Sequence, residues 1–217
     1  GIGGKNGVNV GAAKNQVGTT WQPQEILFDY RFLDSLPAAE WVNGMAEMIK
    51  HACIQDALLF QELERYDLHT LSTDRLLMAE LIERNVAIKM KIVRQDEFEQ
   101  KERKWLNFGH TIGHAIEHGH QLPHGHAVSV GMVAAANLSV MRGSLAPDQA
   151  ARLIRLLHRY HLPVDVETDY GQIWDYLLQD KKRQGGSIDF ILLKQLGEAY
   201  TTTIPLPELQ ALLPQIV

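Results

Sequence analysis

From about residue 37 to residue 160, apolar residues recur three and four positions apart, the spacing that stacks side chains on one face of an α-helix. Pro, Asp and Thr punctuate the stretch into separate helices. One is expected over residues 37–53 behind Pro37, one over 55–65 with Asp56 near its cap, and a long amphipathic one over 74–95 opened by Thr73 and Asp74. Another starts near residue 109, a helix of small residues runs over 127–143, and a further one over 148–160 after Pro147. The period then changes. "SIDFILLK" (187–194) and "EAYTTTI" (198–204), joined through "QLG", read as a β-hairpin, with a last short helix after Pro205. Upstream, "EILFDY" (25–30) reads as a short strand. The expected fold class is therefore mainly α: a multi-helical domain carrying a small β-hairpin.

The first thirty residues do not share this pattern. They are rich in Gly, Asn and Lys and open on "GIGGKNGVNV", a glycine loop with neither an initiator Met nor an element to anchor it. The expectation is a part of a longer protein, with residues 1–35 the remnant of another domain and 36–217 the helical domain.

Composition narrows the function classes. At 217 residues and 45% apolar the chain can bury a sizeable core. A net charge of −5, with basic residues scattered among acidic ones, argues against a nucleic-acid partner. The single cysteine, Cys53, rules out a disulfide framework and suits a reducing cytoplasm. No apolar run approaches the roughly 20 residues that cross a bilayer, so no membrane partner is expected.

The informative stretch is "NFGHTIGHAIEHGHQLPHGHAV". Six of the chain's 10 histidines lie between His110 and His126. On a helix, Asn107, His110, His114 and Glu117 fall on one polar stripe, while Ile112, Ala115 and Ile116 can face a core. The plain reading of one such pair is a solvated face, but six histidines so close together favour a metal. With one Cys in the chain, imidazole and carboxylate would have to hold it. The "HxxxH" spacing lacks the Glu that a zinc protease places directly after its first His; Thr111 stands there instead. "GMAEMIKHA" (44–52) offers the best distant carboxylate, Glu47, although Glu47 and Lys50 taken alone read as a simple surface pair. His118 and His120 fall at a helix end, where an exposed imidazole needs no further account.

Taken in order and spacing, "GGKNGVN…KN", "GMAEMIKH", "NFGHTIGHAIE", "HGHAVSVGM" and "DKKRQGG…ILL" resemble the 3-dehydroquinate synthases of the sugar-phosphate cyclase superfamily. The resemblance runs over essentially the whole chain, but the family's nucleotide-binding half, with its Gly-rich dinucleotide motif, is not part of it. It therefore implies the C-terminal metal and substrate domain, with the end of an α/β NAD-binding domain attached. Glu47, His110 and His124 would hold zinc or cobalt, and His114 would face substrate. Lys5, Asn15, Lys50, Lys89, Arg103 and Asn107 would contact substrate, together with Lys181 or Lys182. Lys14, Phe32, Leu33, Asp34 and Ser35 would border NAD.

The implied substrate, 3-deoxy-D-arabino-heptulosonate 7-phosphate, carries a carboxylate and a phosphate, which suits several convergent cations in an acidic chain. The implied reaction is redox-neutral. NAD oxidises a ring hydroxyl, phosphate is eliminated, the hydride returns, the ring opens and an aldol step closes the carbocycle. His114 and Asn107 would steer protons. A homodimer is expected, and the isolated chain is expected to be inactive. A cyclase for another sugar phosphate and a non-catalytic metal-binding module are the alternatives. One departure stands out: His126 occupies the position after "HG" where the family usually has Glu, a residue type that often orients a ligating imidazole.

Overall fold

The structure, a computed structural model, describes residues 2–10, 13–120, 122–179 and 183–217. Helix α1 (Ala38–Gln55) follows Pro37 and ends at Asp56, whose carboxylate accepts from the backbone N–H groups of Leu58 and Leu59 and so opens α2 (Ala57–Leu63). Asp67 caps the short α3 (Leu68–Thr73) and Asp74 caps α4 (Arg75–Gln95) by the same device. Each acceptor satisfies an orphan donor of a first turn.

Helices α5 (His110–His120) and α6 (His124–Met141) carry the histidines. Sequence spacing starts the second of these at residue 127; behind Pro123 it begins three residues earlier, which puts His124 and His126 into its first turn. Helix α6 is apolar on all sides and runs through the centre of the core, as a helix without a polar face must. Helix α7 (Pro147–Arg159) starts with Pro at N1 and buries Ala150, Leu153, Leu156 and Leu157 on one face.

The C-terminal strands form a three-stranded antiparallel sheet in which β3 (Arg183–Gln184) pairs β4 (Ser187–Gln195) and β4 pairs β5 (Glu198–Pro205). Expected strands 187–194 and 198–204 are both found, in the register Leu192 opposite Tyr200. Helix α9 (Leu206–Ile216) closes the chain.

Several elements differ from the expectation, the short helix α3 and the added strand β3 among them. "EILFDY" forms no strand: Leu27 is 89% exposed, and a strand needs a ladder partner that none of the described strands provides. The segment instead runs into a 3-10 helix over Tyr30–Ser35. A small hairpin of β1 (Val8–Val10) with β2 (Ala13–Val17) stands where the pattern gave no element. A further helix, α8 (Tyr170–Gln179), buries Ile173 and Leu177 at a four-residue spacing. Among the described residues, no helix is long and apolar enough to cross a membrane.

Candidate metal and anion site

Glu47 lies in the middle of α1, His110 is the first residue of α5 and His124 the first of α6, so three helices bring one donor each. Two glycines allow this approach. Gly109 turns the chain into α5 with φ +77°, a conformation that side chains with a Cβ rarely adopt. At Gly113 a Cβ would lie 2.9 Å from the carbonyl oxygen of Ala127 in α6, so the two helices pack backbone to backbone. As a result the donor atoms of Glu47, His110 and His124 all lie within 4.8 Å of one another.

The geometry fits a cation. His110 Nδ1 sits 3.1 Å from the carbonyl oxygen of Phe108, which can only accept, so the proton of the neutral ring is on Nδ1 and Nε2 presents a lone pair. That lone pair faces Glu47 Oε1 at 3.5 Å, and His124 Nε2 approaches the same oxygen at 3.3 Å. Burial and the nearby Lys50 charge hold His110 well below the usual imidazole range. Two acceptors facing each other in a half-buried place, with a second imidazole beside them, form the donor set that zinc and its neighbours take. Glu47 stays a carboxylate: burial pushes its proton affinity up, but Lys50, the His124 contact and the other imidazoles hold it well below the ordinary range.

Lys50 is not at the surface. It is 3% exposed and donates to Glu47 Oε2 at 2.7 Å, so the surface-pair reading fails. Around it lies a cavity of about 640 Å³ whose walls include Lys5, Lys89, Arg103, Glu99, Asn107, His110 and His124. Burial, then the charge of Lys50, lowers the Lys89 ammonium from its ordinary value, with Arg103 and Lys5 adding to the effect. An ammonium lowered in this way by neighbouring cations is relieved by an anion between them.

The loop after α4 sets these groups. Asp96 collects the backbone N–H groups of Gln100, Lys101 and Arg103 at 2.9, 2.6 and 3.0 Å. Arg103, 4% exposed, donates from Nη2 to the carbonyl oxygen of Gly3 at 2.6 Å and from Nη1 to that of Glu97. Glu99, with φ +60°, accepts from Asn107 Nδ2 at 2.7 Å and from Lys5. Sequence spacing misses Glu99, because a residue in a tight loop has no period that links it to the others.

His51 is a second omission. Its Nδ1 is 2.7 Å from Asn85 Oδ1, while the buried Nε2 has no partner among the described residues.

The remaining expectations divide. His114 is not in the cavity wall, but its ring stands edge-on to His110 with centroids 5.2 Å apart. His118 stacks on Tyr176 at 5.5 Å, away from the cluster. His126, half-buried, makes no hydrogen bond among the described residues. Phe32 is 77% exposed. Leu33 and Asp34 line a separate cavity, where Asp34 pairs with Arg75 at 2.8 Å, and Ser35 ends the same 3-10 turn. The side chains of Lys14 and Asn15, and all of Lys181 and Lys182, lie outside the described residues, as does the side chain of His120.

Known proteins match this chain in sequence and in fold. Residues 44–183 fit the family model described as 3-dehydroquinate synthase C-terminal, and residues 1–43 the model described as 3-dehydroquinate synthase N-terminal. The chain belongs to the 3-dehydroquinate synthase family. It is 42% identical over 210 residues to the 3-dehydroquinate synthase of Dichelobacter nodosus, covering 92% of this chain and 55% of that one. With that of Neisseria meningitidis serogroup C it shares 41% identity over 213 residues, covering 94% and 58%. The chain thus spans little more than half the length of these relatives. Among solved structures, the 2-epi-5-epi-valiolone synthase of Streptomyces hygroscopicus, with NAD+ and Zn2+ bound, superposes with a TM-score of 0.86 at 28% identity, covering 100% of this chain and 62% of that one.

Proposed function

We propose that this chain is the metal- and substrate-binding portion of a 3-dehydroquinate synthase, a carbocycle-forming lyase that converts 3-deoxy-D-arabino-heptulosonate 7-phosphate to 3-dehydroquinate and phosphate in the shikimate route to chorismate and the aromatic amino acids. The observation that carries this reading is one cavity with a three-donor cluster, Glu47, His110 and His124, on one wall and Lys5, Lys50, Lys89 and Arg103 around it. A substrate bearing a carboxylate, a phosphate and vicinal hydroxyls matches both halves of that wall.

The cluster would hold zinc or cobalt. When bound, the metal supplies Lewis acidity toward substrate hydroxyls, and NAD on the adjoining half supplies the hydride chemistry. The protein's own residues do the rest. Lys50 keeps Glu47 ionised, and Lys5, Lys89 and Arg103 take the substrate's anions and orient the ring. Asn107, held by Glu99, and His114, packed on His110, hold and move protons near the reacting carbons. In the same reading, residues 1–35 are the end of the NAD-binding domain, with Lys14 and the turn Phe32, Leu33, Asp34 and Ser35 beside the dinucleotide. Asn15 and one of Lys181 and Lys182 complete the substrate contacts. The protein would act as a homodimer in the cytoplasm, consistent with its free, buried Cys53.

Phosphate release from the heptulosonate phosphate, measured with NAD and zinc for this chain and for one extended N-terminally, tests the proposal. The extended chain should release phosphate and 3-dehydroquinate in equal amounts, and the 217-residue chain should be silent. An extended chain loaded with both cofactors that releases no phosphate sinks the reading and favours a metal-binding module.

A further inference from the structure

Glu117 has no part in the reading above, yet it lies at the heart of the cluster. It sits on α5 seven residues beyond His110, two helical turns along the face that also carries His114. Its side chain is 13% exposed, and its Oε2 lies 3.3 Å from Nδ1 of His124, the ring whose Nε2 points to Glu47. One imidazole therefore has an acidic oxygen at each nitrogen.

The two imidazoles of the cluster are arranged alike. In His110 the Nδ1 proton is held by the Phe108 carbonyl and Nε2 is turned to Glu47; in His124 the corresponding holder is the Glu117 carboxylate. A ring held through Nδ1–H has a fixed tautomer and a fixed azimuth, and a carboxylate holder also makes Nε2 a stronger donor to a metal. His126, in the first turn of the same helix as His124, makes no hydrogen bond among the described residues.

We propose that Glu117 is the positioning residue of the metal site, its carboxylate accepting the Nδ1 proton of His124 and so fixing Nε2 as the ligand atom. This rests on the metal-site reading of Glu47, His110 and His124. A rival arrangement exists, because the donor atoms of His114, Glu117 and His124 also lie within 4.8 Å of one another. If those three bound an ion of their own, His124 would have to bridge two ions, and the chain would take up two.

The test is zinc binding by the full chain, titrated against a chromophoric chelator, with ions per chain counted by elemental analysis. Glu117→Gln keeps the shape and removes the charge. It should bind one zinc roughly 10- to 100-fold more weakly than the parent, with its metal-free thermal midpoint unchanged. Its cobalt(II) form should keep the intensity of the parent's visible absorption, because the ligand number is the same. Unchanged zinc affinity in Glu117→Gln overturns the proposal. So does a parent that binds two ions where the variant binds one, or a cobalt spectrum that reports a lost ligand. Glu47→Ala, run alongside, separates the two levels: full zinc affinity there would refute the metal site itself, whatever Glu117 does.

Discussion

Lys50 reaches Glu47 at 2.7 Å from inside the core, its side chain 4% exposed against 33% for the acid it meets. The lysine is thus the buried member of the pair, and the carboxylate is the member turned toward the cavity. Burying a charge is tolerable only when it is paired, and the lysine holds the acid ionised.

Replacing Lys50 by Met leaves Glu47 facing the cavity without its cation. Losing one partner of a fully buried pair costs several kcal/mol; with the acid one-third exposed, about 1–3 kcal/mol is expected. A metal at Glu47 would supply the missing positive charge. The loss in urea unfolding should accordingly be larger in chelator than in zinc, and an equal loss in both would show that no metal sits against Glu47.

Metal content should separate the histidines. Glu47→Ala, His110→Ala and His124→Ala should each lose stoichiometric zinc, whereas His118→Ala should keep it, since His118 stacks on Tyr176 instead. Retention of zinc in all four proteins would remove the assignment.

His51 gives the stability a defined pH dependence. Burial, reinforced by the Lys50 charge, pushes its folded-state pKa down to about 3. An unfolded His takes up a proton below about 6.5, while the folded one stays neutral until far lower pH. Its contribution is therefore complete above that value and is lost as the pH falls from there toward 3, at about 1.4 kcal/mol per pH unit. Between pH 7.5 and 5 the parent should lose about 2 kcal/mol more than His51→Gln. Equal losses in urea titrations at the two pH values would clear His51 of this role.

Gly113→Ala tests the helix contact. Its Cβ would meet the Ala127 carbonyl at 2.9 Å, and backbone cannot swing aside as a side chain can. Overpacking of this kind costs roughly 1–3 kcal/mol. Because α5 carries His110 and α6 carries His124, zinc affinity should fall with stability. Gly44→Ala, on an open stretch of α1, should leave both unchanged or slightly improve the helix. Calorimetry with and without zinc checks both, and a silent Gly113→Ala would mean the helices need not touch.

Most helices between residues 37 and 160 are legible because they bury one face, and burial imposes its period on the chain; the six-residue α3 is too short to show one. Caps at Asp56 and Asp74 are legible for the same local reason. "EILFDY" misleads because strand formation depends on a neighbour, which no local pattern encodes. In the site, residues carried by motifs do converge: Glu47, Lys50, Lys89, Arg103, Asn107, His110 and His124 line one cavity. Glu99 and the unpartnered nitrogen of His51 are not legible, because each depends on where a distant segment comes to rest. Glu117 was visible as part of a polar stripe, but its partner on the next helix was not.

Arg103 adds a mechanical consequence. Its guanidinium lines the cavity and grips the backbone of Gly3, a hundred positions earlier in the chain. The attitude of the N-terminal segment and the electric field inside the cavity are therefore geared together. A tilt of one reorients the other, and an anion that pulls on the arginine also pulls on the backbone at Gly3.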